Sequence, residues 1–176
     1  MRARMHGRAL VVLLTASGLA ALAWANWMPP TAHVVYNPTD SVPVGWYRIR
    51  SADVAALAAG DIVLVRLPPD ATQLAARRGY LPANVPLLKR VGAVAPQRVC
   101  VLGASVNIDG VPAAALLRTD RRGRPLSAWR QCRPLQAGEV FLVGAHPASF
   151  DSRYFGPIDA AAVLGIAHPL WLDTPP

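Results

Sequence analysis

Lysine is almost missing from this sequence: of 18 lysines and arginines only Lys89 is a lysine. Cysteine is limited to Cys100 and Cys132, which form no C-x-x-C pair and cannot make a zinc site on their own. There is no H-E-x-x-H, no phosphate-binding glycine loop and no S-x-x-K pair, so three familiar catalytic chemistries have no residues to work with. Repeats, heptads and low-complexity tracts are absent, and no cofactor or metal is expected. Acid is scarce as well: 10 acidic residues leave a net charge of +8. No lysine/arginine run with interleaved aromatics accompanies that charge. The densest cluster, Arg121, Arg122 and Arg124 around Gly123, reads as a loop tip, so nucleic acid is not an expected partner. Anionic lipid headgroups, or the N-terminal side of a membrane substrate, suit the charge better.

What is present is apolar and punctuated. A hydrophobic fraction of 53% with 17 prolines and 13 glycines spread along the chain predicts many short strands joined by turns. Lys89 falls in one of them, Pro86-Leu87-Leu88-Lys89-Arg90-Val91. Alternate strand residues share a face, so Lys89 lies with Leu87 and Val91 while Arg90 points the other way. An amine on an apolar face can lose its proton near neutral pH, which a guanidinium cannot. Lys89 is therefore a candidate general base.

The N-terminus predicts export. Arg2, Arg4 and Arg8 (a basic flank, residues 1–8) precede Ala9 to Trp27, 19 residues without a charge. A helix of that length rises about 28 Å, close to the thickness of a bilayer core. The basic flank would stay in the cytoplasm, placing residues 28–176 on the outer face of the membrane. A cleaved signal peptide is the alternative, because Ala21-Leu22-Ala23 and Ala23-Trp24-Ala25 resemble cleavage sites. Either way Cys100 and Cys132 meet an oxidising compartment and are expected to pair. Closing a loop of about 30 residues stabilises by roughly 3–4 kcal/mol in the loop-entropy model.

Along the exported part, strands are predicted at His33 to Tyr36, Trp46 to Arg50, Ile62 to Arg66, Leu87 to Ala95, Arg98 to Leu102, Ser105 to Ile108, Val140 to Val143 and Ala162 to Ala167. One short helix is predicted over Ala71 to Arg78, ended by Gly79. Asn107-Ile108-Asp109-Gly110 reads as a hairpin turn, Asn37 to Gly45 as a turn-rich segment, and Arg118 to Arg133 as an exposed excursion. The fold class is mostly β, with mixed short strands and one or two small helices.

A neutral lysine can activate a serine hydroxyl. Bringing Lys89 from about 10.4 to near 7 would take about 4–5 kcal/mol of disfavoured charge. Ser41, in a rigid turn between Asp40 and Val42-Pro43, is the serine that stands out. His146, Ser149 and Asp151 also invite a Ser-His-Asp reading, although closeness in sequence says little about triad geometry.

The segment Thr39-Asp40-Ser41-Val42-Pro43-Val44-Gly45-Trp46-Tyr47 resembles the nucleophile block of the type I signal peptidase superfamily, and most nearly that of its conjugative-transfer branch, the TraF peptidases. Gly60-Asp61-Ile62-Val63-Leu64-Val65, Leu88-Lys89-Arg90-Val91 and Ser149-Phe150-Asp151-Ser152-Arg153-Tyr154-Phe155-Gly156 resemble three further blocks in the family's order. The resemblance implies a signal-peptidase-like β domain with Ser41 as acyl-forming nucleophile and Lys89 as general base. The Ser41 N–H and the Thr39 hydroxyl would form the oxyanion hole, a donor worth about 3–4 kcal/mol of barrier. Ser149 would orient the Lys89 amine, and Asp151 and Arg153 would pair and brace the site. In the TraF branch the resemblance would also give Asp151 a direct role. Val42 after the serine, the early proline and the lack of a large inserted domain depart from ordinary type I enzymes and favour that branch.

The expected function is a membrane-anchored Ser/Lys endopeptidase that processes a pilin precursor for conjugative transfer, with or without joining its ends. The partners would be the lipid bilayer and a membrane-inserted preprotein. A general type I signal peptidase is the alternative within the class. A non-catalytic exported scaffold of a transfer or secretion complex is the alternative outside it.

Overall fold

A computed structural model of the chain describes residues 2–27 and 34–173, with the helix side chains of 2–10 and 25–27 left aside. The chain separates into two units, residues 1–32 and 33–176. The first consists of α1 (Arg2–Trp27). Its side chains from Val11 to Trp24 carry no charge and are solvent-exposed. That stretch rises about 21 Å, short of a hydrocarbon core of about 30 Å. Among the described residues no helix is long and apolar enough to cross a membrane. The uncharged run Ala9 to Trp27 continues past both ends of the described stretch.

The second unit is mostly β. Its strands are β1 (Val34–Asn37), β2 (Gly45–Arg50), β3 (Ile62–Val65), β4 (Leu87–Val94), β5 (Arg98–Leu102) and β6 (Ser105–Ile108), followed by β7 (Val111–Ala115), β8 (Cys132–Pro134), β9 (Glu139–Val143), β10 (Ile158–Asp159) and β11 (Val163–Leu172). The two small helices are α2 (Pro69–Arg78) and α3 (Ser152–Phe155), with two single 3₁₀ turns besides. A seven-stranded sheet runs β1-β2-β11-β3-β4-β9-β10, and a four-stranded sheet runs β7-β6-β5-β8. Every pairing of these strands is antiparallel, a correction to the mixed strands expected. The sequence alternation that predicts strands is blind to their direction. The strand expected at His33 begins at Val34, and His33 lies outside the described residues.

Local chemistry explains the main elements. Ile62-Val63-Leu64-Val65 lacks polar alternation because β3 is covered on both faces between β11 and β4. α2 has proline at its start and ends at Gly79, whose left-handed φ of 69° lets its N–H close on the Ala75 and Ala76 carbonyls. The β6–β7 hairpin turns on Asp109 (φ 50°) and Gly110 (φ 84°), both positive as a two-residue turn of this hand requires. Val63, Val65, Val91 and Leu142 build the core on one face of the large sheet, with Leu64, Leu88, Tyr47 and Val42 packed on the other. Val99, Val101 and Val106 of the small sheet meet Ala93 and Phe141 of the large one, with Tyr154 of α3 between them. Each fully buried valine, leucine or phenylalanine among them contributes about 1.5–3 kcal/mol.

Cys100 and Cys132 sit directly opposite each other on β5 and β8 and form a disulfide across 32 positions of chain. The expected pairing is thus present, and it ties the end of the expected Arg118–Arg133 excursion, where β8 begins, to the small sheet.

Candidate active site

The turn from Pro38 to Val44 joins β1 to β2 and presents Ser41. Three residues around it hold its shape. Gly45 has φ +146°, and a Cβ there would collide with the Trp171 carbonyl oxygen and lie 2.7 Å from Leu172 Cα on β11. Tyr47 is fully buried and donates its hydroxyl to the Pro43 carbonyl at 2.6 Å. Asn37, also buried, donates from Nδ2 to the carbonyls of Thr39 (2.6 Å), Val42 (3.0 Å) and Pro43 (3.1 Å). The glycine and tyrosine of the Ser41 motif are thereby accounted for by packing and by a hydrogen bond.

Within this turn Ser41 Oγ lies 2.8 Å from Thr39 Oγ1, and Thr39 Oγ1 donates to Asn37 Oδ1 at 3.0 Å. The Ser41 carbonyl accepts from the Ala145 N–H at 2.9 Å, which joins the turn to the loop after β9. Among the described residues the Ser41 N–H has no acceptor. Ser41 itself is buried, with Val42 beneath it in the core.

Lys89 stands on β4 opposite Val63, and only 3% of it is exposed while Arg90 next to it faces out. Burial pushes its ammonium down from 10.5 to about 8. The Asp151 charge pulls it back up, Arg153 pushes it down and Asp40 pulls it up. This net shift ends about one pH unit above the value near 7 anticipated from desolvation alone. At pH 7 roughly a tenth of Lys89 is then neutral, against about one part in 3,000 for a solvated lysine.

Gly144, at the end of β9, has no visible role in sequence but a clear one in space. A Cβ there would collide with Ser149 Oγ and lie 2.5 Å from Ser149 Cβ and 3.1 Å from Lys89 Nζ. Lys89 and Ser149 therefore converge on the gap that this glycine leaves. No hydrogen bond joins the two among the described residues, so the orienting contact expected of Ser149 is not made in this state. The buried amine retains room for a partner.

Asp151 and Arg153 form a fully buried bidentate pair, with Nε to Oδ1 and Nη2 to Oδ2 each at 2.7 Å. Asp151 Oδ2 also accepts the Gly144 N–H at 2.7 Å, and Oδ1 accepts the Arg153 N–H as the cap of α3. Arg153 further donates to the carbonyls of Ala115, His146, Pro147 and Ser149. Burial works to lower the Arg153 value, but the hydrogen bonds and charge of Asp151 raise it overall. The pair thus clamps the loop carrying Gly144 and Ser149 against α3 and β7. His146 instead faces Asp40 (3.5 Å) and Arg121, and among the described residues its ring makes no hydrogen bond to Ser149 or Asp151, so the Ser-His-Asp arrangement is not formed there. Asn37 and Gly144 are the two site residues the sequence did not single out. Asn37-Pro38 reads as an ordinary turn, and Gly144 as the end of a strand.

A buried hydroxyl with a second hydroxyl beside it, a free backbone N–H and a partly neutral amine suit acyl transfer to serine. The family model for signal peptidase, peptidase S26, matches residues 6–171. A probable conjugal transfer protein TraF of Sinorhizobium fredii (strain NBRC 101917 / NGR234) is 40% identical over 94% of this chain and 90% of its own length. The conjugal transfer protein TraF of Agrobacterium fabrum (strain C58 / ATCC 33970) is 34% identical over 97% of this chain and all of its own. A crystal structure of signal peptidase I from Enterococcus faecalis V583 aligns with 62% of this chain and 95% of that one, at 20% identity and a TM-score of 0.38. With a family model spanning nearly the whole chain and TraF relatives matching it end to end, this protein belongs to the signal peptidase family, peptidase S26.

Proposed function

We propose that this chain is a serine endopeptidase with a Ser41/Lys89 dyad, held at the bacterial inner membrane by Ala9 to Trp27, that processes a pilin precursor for conjugative transfer. The observation that carries the reading is the buried Lys89 amine, lowered to about 8 and converging with Ser149 on the gap at Gly144. Lys89 takes the Ser41 proton as Oγ attacks the scissile carbonyl carbon, and the ammonium then returns a proton to the departing amine. The oxyanion is held by the Ser41 N–H and by the Thr39 hydroxyl as it turns from its resting partner. Asp151 and Arg153 hold the loop behind Lys89 in place.

The substrate rests on the family and on the relatives' role in conjugal transfer. The disulfide supports an exported domain, because such bonds persist in oxidising compartments. The acyl-enzyme can be released by water or by the pilin's own N-terminal amine, and a positioned amine wins through effective concentration.

The test is the intact mass of a candidate pilin precursor co-expressed with wild-type protein or with Ser41→Ala. A shortened product with wild type alone establishes the peptidase, and a product one water lighter than the linear fragment establishes cyclisation. An unprocessed precursor with both removes pilin as the substrate, and a product with both removes Ser41 as the nucleophile.

A further inference from the structure

The amide of Asn37 can be oriented from its surroundings. Nδ2 faces three carbonyl oxygens, those of Thr39, Val42 and Pro43, none of which can donate. Oδ1 must therefore be the acceptor facing Thr39, receiving its hydroxyl at 3.0 Å and its N–H at 3.3 Å. A hydroxyl has one proton. If Thr39 gives it to Asn37, then in the 2.8 Å contact between Thr39 and Ser41 the Ser41 hydroxyl is the donor.

We propose that Asn37 is a positioning residue for the reaction: one side of its amide clamps the Ser41 turn, and the other orders the Asn37–Thr39–Ser41 chain of hydroxyl protons. This rests on the dyad reading given above. The two Nδ2 hydrogens, shared among three turn carbonyls, hold those oxygens inward, so that none of the three turns its negative end on an oxyanion developing at the Ser41 N–H. The Oδ1 contact keeps the Thr39 proton parked until an oxyanion draws it away, and leaves Thr39 as the resting acceptor of the Ser41 proton, which turns from Thr39 to the Lys89 amine as attack begins. Asn37 touches neither substrate nor reacting atom; it acts through Thr39 and the turn. Aspartate is nearly the same shape but has no NH₂. Protonated, it can still accept from Thr39 and donate to a carbonyl. Ionised, it turns a charged oxygen toward three carbonyl oxygens.

The experiment is the rate at which a penem acylates Ser41 in the full chain, read by intact mass as a function of pH and penem concentration and expressed per folded molecule. In Asn37→Asp the rate turns over and falls as the carboxyl ionises, whereas the wild-type rate rises to its plateau and holds it. In Asn37→Ala the limiting rate falls about 100-fold, the cost of a misplacement of about 1 Å, while the penem concentration giving half that rate is unchanged. A wild-type-shaped pH profile in Asn37→Asp, or a limiting rate within about 3-fold of wild type in Asn37→Ala, overturns the role of Asn37 and leaves the dyad standing. Labelling of Ser41→Ala as fast as wild type overturns the dyad, and this inference with it.

Discussion

At Lys89 burial and the Asp151 charge act in opposite directions, and the balance makes two predictions. If the neutral amine is the base, kcat/KM rises with pH and levels off above about 8, following the free-enzyme value of Lys89. Lys89→Arg abolishes turnover because a guanidinium holds its proton at any working pH. Stability follows the same shift. The folded value lies below the ordinary 10.5, so the unfolded chain binds more protons between about 8 and 10.5. Stability should therefore rise with pH across that window, and the penalty is fully present below it. At 1.36 kcal/mol per pH unit the penalty is about 3 kcal/mol. Lys89→Met, of similar length and uncharged, should melt higher than wild type at pH 7, with the gap closing toward pH ~10 in thermal denaturation across pH. A lower melting temperature at pH 7 would show that the lysine is not held under this strain. Gly144→Ala should cut acylation by about 100-fold while the protein stays folded, since the new methyl group enters the space shared by Ser149 and Lys89. Ser41 and Lys89 were noticeable in sequence as candidates because one is a serine in a turn two residues before Pro43 and the other is the sole lysine. Asn37 and Gly144 were not, because their roles lie in what they accept and what they leave empty.

Among the elements, β5 and β6 keep their expected bounds, and α2 adds only Pro69 and Asp70 to the helix expected from Ala71 to Arg78. β7 escapes a propensity reading because Val111-Pro112-Ala113-Ala114-Ala115 is poor in strand formers and is held by its hairpin register with β6. α3 is one turn capped by Asp151, inside a block whose charges suggest a loop. β11 runs past Pro169 to Leu172 because the pairing shifts at that proline, where a missing N–H does least harm. The disulfide and the Asp151–Arg153 clamp are the two ties between elements with the largest predicted effects. Reducing Cys100–Cys132 should cost roughly 3–4 kcal/mol in a denaturant titration. Asp151→Ala leaves Arg153 buried and unpaired and should cost about 3–5 kcal/mol, with acylation also slowed because Gly144 loses its carboxylate partner. Wild-type stability in that variant would mean the pair contributes little to holding the loop.

For the whole molecule, the mostly-β domain was legible from the spacing of turns, whereas its two-sheet division was not. Ala95-Pro96-Gln97 marks a turn without revealing that the chain crosses there from one sheet to the other. Residues 33–176 form a unit of their own, so removing 1–32 should leave penem acylation of Ser41 intact. With Ala9 to Trp27 in the proposed role of anchor, processing of a membrane-inserted precursor should fall, because what an anchor contributes is effective concentration. The most direct test of the account is the intact mass of the full chain exposed to a penem from about pH 6 to about 10, with the adduct mapped by peptide sequencing. The account predicts one adduct, on Ser41, forming at a rate that rises through about pH 8 in wild type and is lost in Lys89→Arg. An adduct elsewhere, or equal labelling of Lys89→Arg, would contradict the Ser41/Lys89 dyad.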